Sequence, residues 1–190
     1  MARKQTVSDE EVIATAKLVL KETGAQQFSL SAVAKKLSIS RAALILRFDT
    51  TDNLLTLASR ANFEKFKTHF DSLQLTNDIK SLTMFCRQFA GLVTTKRGAS
   101  RYLEQFSARA KNKQLEALDF ERGEFIQGLI RQALPKTLLT QPDAVRLFNN
   151  FLTGTVIEWI ANDATDSVAF FNQRCTQWLA LCGQLSEAER

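Results

Sequence analysis

Phe28-Ser-Leu-Ser-Ala-Val-Ala-Lys-Lys-Leu-Ser-Ile-Ser-Arg-Ala-Ala-Leu-Ile-Leu-Arg-Phe48 is the stretch on which the reading of this chain rests. Leu30, Val33, Ala34 and Leu37 recur at i, i+3, i+4 and i+7, the single apolar stripe of a short helix with Ser29 as its N-cap. Ser38-Ile39-Ser40 predicts a tight turn with Ile39 pinned inward. Ser40 then caps a second short helix whose Leu44 and Phe48 face the same core. From Gly24 to Phe48 there is no acidic residue, but Lys35, Lys36, Arg41 and Arg47 are present. Two short helices with basic side chains outside and aliphatic ones inside form a unit shaped to set one helix into the major groove of DNA.

Upstream, Ser8 and Glu11 form a capping box, and Val12, Ile13, Ala16, Val19 and Leu20 mark one face of a helix over about Asp9–Thr23 that Gly24 stops. Three such helices in about 50 residues bury only a minimal core, so the rest of the chain is expected to help hold them. Downstream, Asp49-Thr-Thr-Asp52 is a polar break before a helix from about Asn53 to Leu73. Further helices are predicted over about 78–96, 99–109, 111–133, 142–161 and 166–185, with Gly98, Pro135 and Pro142 as punctuation. The 142–161 helix is apolar on two sides, Val145, Phe148, Leu152, Val156 and Trp159 on one and Leu147 and Phe151 on another, which requires two packing partners. In the last helix Val168, Phe171, Cys175, Trp178, Cys182 and Leu185 follow a 3-4-3-4-3 spacing, a two-heptad seam.

Composition narrows the class. The 190 residues are 45% hydrophobic with two prolines and seven glycines, which favours a real core made of long helices with few breaks. The expected fold is all-α, about nine helices: a three-helix head over residues 1–55, with its helix-turn-helix at about 29–48, and a helical bundle over 56–190. Net charge is +5, and residues 1–60 hold nine basic and six acidic residues, with the positive excess focused in the acid-free stretch. No apolar run approaches 18 residues and the N-terminus lacks the pattern of a signal peptide. Cys86, Cys175 and Cys182 have no CxxC spacing, so neither a disulfide framework nor a zinc site is expected; a reducing cytoplasm is. One histidine, His69, and no Ser/His/Asp, Cys/His or clustered-carboxylate set leave no catalytic constellation, and no glycine-rich phosphate loop or cofactor motif is present.

Val33-Ala34, Leu37, Ile39-Ser40-Arg41, Leu44, Phe48 and Leu54-Leu55 resemble the head of the tetracycline-repressor-like (TetR-family) transcriptional regulators, over residues 8–58. Gly154 followed by Trp159, then an aromatic-rich terminal helix, is similar to that family's dimerisation pair. The chain departs from the family pattern at three places. Ile45 stands where tyrosine is usual, Thr51 where a phosphate-facing lysine is usual, and Ser38 where glycine is frequent. The first two each remove a polar contact to the DNA backbone, and Arg47, in a position often held by histidine or tyrosine, can restore one.

The resemblance implies a bacterial cytoplasmic regulator that is a homodimer on a palindromic operator, most simply a repressor released by a small molecule. An activator or ligand-blind regulator on the same fold, or a helical interaction module with a degenerate head, are the alternatives. Arg41, Ala42, Ala43 and Ile45 are expected to line the groove-facing side, with Arg41 as the guanine reader and the alanine and isoleucine side chains offering apolar contact to thymine methyls. Ser29, Ser40 and Thr51 place helix N-termini and hydroxyls near phosphates, and Lys35 and Lys36 add attraction. Phe151, Val168, Phe171, Cys175, Trp178 and Cys182 are expected at the dimer interface. Twelve of the fourteen phenylalanines lie beyond residue 60. By resemblance Phe66, Phe70, Phe85, Phe89, Phe106 and Phe125 are expected to wall a pocket for an apolar or aromatic effector.

Overall fold

The computed structural model describes residues 7–109, 112–136 and 139–182, with the backbone alone over 105–109. The described residues form nine helices and no strand: α1 (Asp9–Thr23), α2 (Leu30–Leu37), α3 (Arg41–Phe48), α4 (Thr51–Asp71), α5 (Ile79–Ala90), α6 (Lys96–Arg109), α7 (Lys113–Ala133), α8 (Gln141–Ala161) and α9 (Ser167–Leu181). They fall into two compact units, residues 1–68 with 104–120, and residues 69–103 with 121–190.

The local signals behind the first unit are those of the sequence. The capping box of α1 is closed in both directions, Glu11 N–H donating to Ser8 Oγ at 3.1 Å and Ser8 N–H to Glu11 Oε2 at 2.8 Å. Gly24 ends the helix at φ 78°, in backbone territory that disfavours a side chain. Ser29 Oγ accepts from Ala32 N–H and Ser40 Oγ from Ala43 N–H, so both short helices are capped by a hydroxyl. Ser38 closes α2 in the left-handed region, φ 54° and ψ 36°, while Ile39 N–H donates back to Ala34 O at 3.1 Å.

The core of this unit is mainly aliphatic, with Phe28, Phe48 and Phe63 buried as well. Val12, Ala16 and Val19 of α1 meet Leu30, Val33 and Ala34 of α2, Leu44 and Phe48 of α3, and Leu54, Leu55 and Ala58 of α4. Leu115 of α7 is buried in the same cluster, so the support expected from outside the three head helices is present in α4 and in the 104–120 segment.

The second unit is aromatic. Phe85 sits between Phe70 and Phe89, with ring centroids at 5.8 and 6.3 Å, and Phe89 continues to Phe171 at 5.9 Å. Phe148 meets Trp178 edge-on at 4.9 Å, and Trp159 meets Phe170 at 5.5 Å. Two buried polar groups of the unit are matched: Trp159 Nε1–H donates to Val93 O at 2.9 Å and Ser167 Oγ to Ala90 O at 3.2 Å. The Lys96 ammonium donates to the carbonyls of Trp159 and Asn162 at the end of α8 and lies 4.0 Å from the Trp159 ring centroid. Asn77, at φ 54°, reaches the end of α7, its side-chain amide donating to Arg131 O and Leu134 O and its backbone N–H to Gln132 O at 2.8 Å.

Some boundaries differ from the sequence reading. α4 begins at Thr51 rather than near Asn53, because Thr50 Oγ1 accepts from Asn53 N–H and is the cap. α5 ends at Ala90, not near residue 96. α6 then runs through Gly98, which was expected to precede it. Thr95 Oγ1 accepts from Gly98 N–H at 3.0 Å, so the glycine lies within a capped first turn.

Candidate nucleic-acid interface

α3 is held from behind by Leu44, fully buried, and Phe48. At about 100° per residue, that anchoring turns Ala42 and Leu46 away from the core and Ile45 to the flank, while Arg41, in register with Leu44 and Phe48, opens the helix at its N-terminal end; all four are exposed. Ala43 is half-buried, and its backbone N–H donates to the Ser40 cap. Leu46 is absent from the sequence-based set of groove-facing residues, yet it is 89% exposed. Its position two residues from both Leu44 and Phe48 is the signal that it points out.

The basic side chains divide into committed and uncommitted ones. Arg47 Nε donates to Asp9 Oδ1 at 2.8 Å and Nη1 to Val7 O at 2.9 Å, and a second guanidinium nitrogen pairs with the same carboxylate. Arg47 thus ties the end of α3 to the start of α1 and lies over Phe48, its guanidinium carbon 5.5 Å from the ring centroid. Lys36 is paired with Glu22 at 2.9 Å. Arg41 and Lys35 are exposed and make no ion pair among the described residues. The positive field of the acid-free stretch is therefore reduced by two acids from α1, a pairing that the distance along the chain between Asp9 and Arg47 conceals.

Ser29, Ser40 and Thr50 mark the N-termini of α2, α3 and α4, and Thr51 is the first residue of α4. The three capping hydroxyls accept from their own helices and keep an O–H donor for an outside acceptor. Free N–H groups at a helix start favour an anion such as phosphate. One uncommitted arginine on an exposed helix, flanked by capped helix N-termini, is an arrangement able to meet a base edge and phosphates together.

The other expected sites are placed as follows. Phe70, Phe85 and Phe89 are buried against one another in the second unit. Phe66 belongs to the first unit, where its ring lies 6.3 Å from Phe63, and Phe125 belongs to the second; both are half-buried. The Phe106 side chain lies outside the described residues. On α9, Phe171, Cys175 and Trp178 are buried within their own unit, facing Phe89, Cys86 and Phe148. The heptad seam is thus covered by α5 and α8 of the same chain, which a spacing alone cannot distinguish from a second subunit. Val168 and Cys182 are half-buried, and Leu185 lies outside the described residues. Phe151 is half-buried on the outward side of α8, beside exposed Leu147, Gly154 and Ile157. A hydrogen bond with Cys175 and burial among apolar neighbours hold the Cys86 thiol well above its ordinary range, so it stays protonated and acts as packing.

No helix among the described residues is long and apolar enough to cross a membrane. No protein-family model matches the chain, and no curated protein sequence does. Solved structures do. A TetR transcription regulator from Haloarcula marismortui superposes with a TM-score of 0.73 at 16% identity, over 91% of this chain and 96% of that one. The transcriptional regulator FadR from Bacillus subtilis, solved with stearoyl-CoA, gives 0.67 at 18% identity over 94% and 100%. The multidrug binding protein EbrR, solved with proflavin, gives 0.65 at 19% identity over 88% and 97%. The helix order, the helix-turn-helix at α2–α3 and these superpositions agree: the chain has the fold of the TetR-type transcription regulators.

Proposed function

We propose that this chain is a DNA-binding transcriptional regulator that acts as a twofold dimer in the cytoplasm, a repressor released by an apolar or aromatic small molecule. Residues 1–55 serve as the DNA-binding head and 56–190 carry the ligand and dimer functions. The observation that carries the reading is the exposed surface of α3, where Arg41 stands uncommitted at the start of a helix anchored by Leu44 and Phe48. One such helix reads a half-site. A dimer reads two, with centres about 34–36 Å apart or a multiple of that. The dimer surface in this reading is the outward side of α8, where Leu147 and Ile157 are 41% and 53% exposed and a Cβ on Gly154 meets nothing within 4 Å. The ligands carried by the FadR and EbrR structures support an apolar or aromatic effector here. An effector acts by preferring the head spacing that misfits the operator.

Selection of bound duplexes from a random library tests the reading, and a discrete palindrome is the expected product. Arg41→Ala then weakens the selected site by about 1–3 kcal/mol and random DNA far less; equal loss on both removes Arg41 from base reading. The interaction-module alternative draws on the pairing of Arg47 and Lys36 with acids. It prevails if no duplex is bound above the nonspecific level at low salt. A reporter in a deletion strain separates repressor from activator, since target expression rises in the first case and falls in the second.

A further inference from the structure

The outward arc of α3 is unusual in what it lacks. Of the five exposed residues of α3 only Arg41 and Arg47 have side chains that can form a hydrogen bond, and Arg47 is already paired, while Ala42, Ile45 and Leu46 are aliphatic. Single exposed leucines are ordinary on helices, but here three aliphatic side chains adjoin on one face, with Leu46 at 89% and Ile45 at 37% exposure. The helix carries no asparagine, glutamine, serine or threonine to pair with adenine, and no carboxylate to accept from cytosine. Of the features a base pair shows in the major groove, the thymine C5-methyl is the one an aliphatic side chain can recognise. Of the neighbouring cations, Arg47 is held by Asp9 and Val7 and Lys36 by Glu22, and the uncommitted Lys35 lies on α2 rather than α3.

We propose that the α3 face selects its half-site by apolar contact with thymine methyl groups at Leu46 and Ile45, with one guanine contact from Arg41. The inference rests on the DNA-binding reading and adds its specificity-determining residues. Leu46 is the more exposed and is the principal contact; Ile45, less exposed, is the second. The operator is accordingly rich in thymine at adjacent positions of each half-site, and part of its sequence preference is hydrophobic and insensitive to salt.

The test uses the full chain and a duplex selected from a random library, compared with the same duplex carrying deoxyuridine for thymidine in both half-sites. Deoxyuridine keeps the base pairing and removes only the methyl group. Each contacted methyl should contribute about fourfold in affinity, the equivalent of one buried methylene. Leu46→Ala should reduce that thymine-over-uracil ratio to at most about twofold, and Leu46→Met should retain it; the side chain is exposed, so neither change threatens the core. Equal affinity of the unaltered protein for the two duplexes overturns the inference while leaving DNA binding intact, as does a Leu46→Ala variant with the full ratio. Absence of any selected duplex overturns the DNA-binding reading and this inference with it.

Discussion

The first unit buries mainly aliphatic side chains, with Phe28, Phe48 and Phe63 among them, and keeps its charged groups at the surface; the second buries a connected set of aromatic rings and uses polar groups inside to close helix ends. In the first, Val33, Leu44 and Leu54 pack without a hydrogen-bonding partner among them, and the ion pairs Arg47–Asp9 and Lys36–Glu22 lie outside the core. In the second, Trp159 is at once a core ring, a hydrogen-bond donor to Val93 and the surface on which the Lys96 ammonium rests. The difference teaches where each unit is vulnerable. Surface ion pairs in water contribute little, whereas a buried ring or an ammonium that holds helix-end carbonyls in a partly dry site contributes much more.

The largest effect that follows from this contrast is at Trp159. Trp159→Ala removes a nearly fully buried ring together with its hydrogen bond, and should cost about 3–5 kcal/mol in urea unfolding followed by circular dichroism. A loss below about 1 kcal/mol would break the comparison by showing that the unit does not depend on its rings. Next is Lys96→Met, which keeps the stem and removes the donor to the α8 carbonyls. A cost of about 1.5–3 kcal/mol is expected by the same measurement, and unchanged stability would show that water serves those carbonyls as well. The smallest is Asp9→Ala in the first unit, with a stability change below about 1 kcal/mol. Its consequence is read in DNA binding instead: releasing Arg47 should raise affinity and steepen the logarithmic salt dependence by about one per subunit, measured by fluorescence anisotropy. No change in slope would mean that Arg47 stays away from phosphate even when freed.

The two units also differ in how far they could be read in advance. Around α2 and α3 the in-out register was legible because each helix is short, capped by serine and covered on one side only. Leu30, Val33, Ala34, Leu44 and Phe48 are buried where their spacing placed them. On α9 the spacing of Phe171, Cys175 and Trp178 showed that a face is covered but not by which chain, and α5 and α8 of the same unit cover it. The expected pocket aromatics met the same ambiguity, since Phe70, Phe85 and Phe89 are satisfied by one another. Within the interface, Leu46 was left out of the groove-facing set although its register points it outward, and distance along the chain hid the partners of Arg47 and Lys36.

What the sequence by itself determined was local: nine helical segments, the serine N-caps of α1, α2 and α3 with the Gly24 stop, and the buried stripe of the helix-turn-helix, because capping and apolar periodicity are properties of residues within a few positions of each other. The tertiary structure alone decided which cations remain available. Asp9 and Arg47 meet only once α1 and α3 have packed. That contact leaves Arg41 as the uncommitted arginine of α3, beside a face formed by aliphatic side chains.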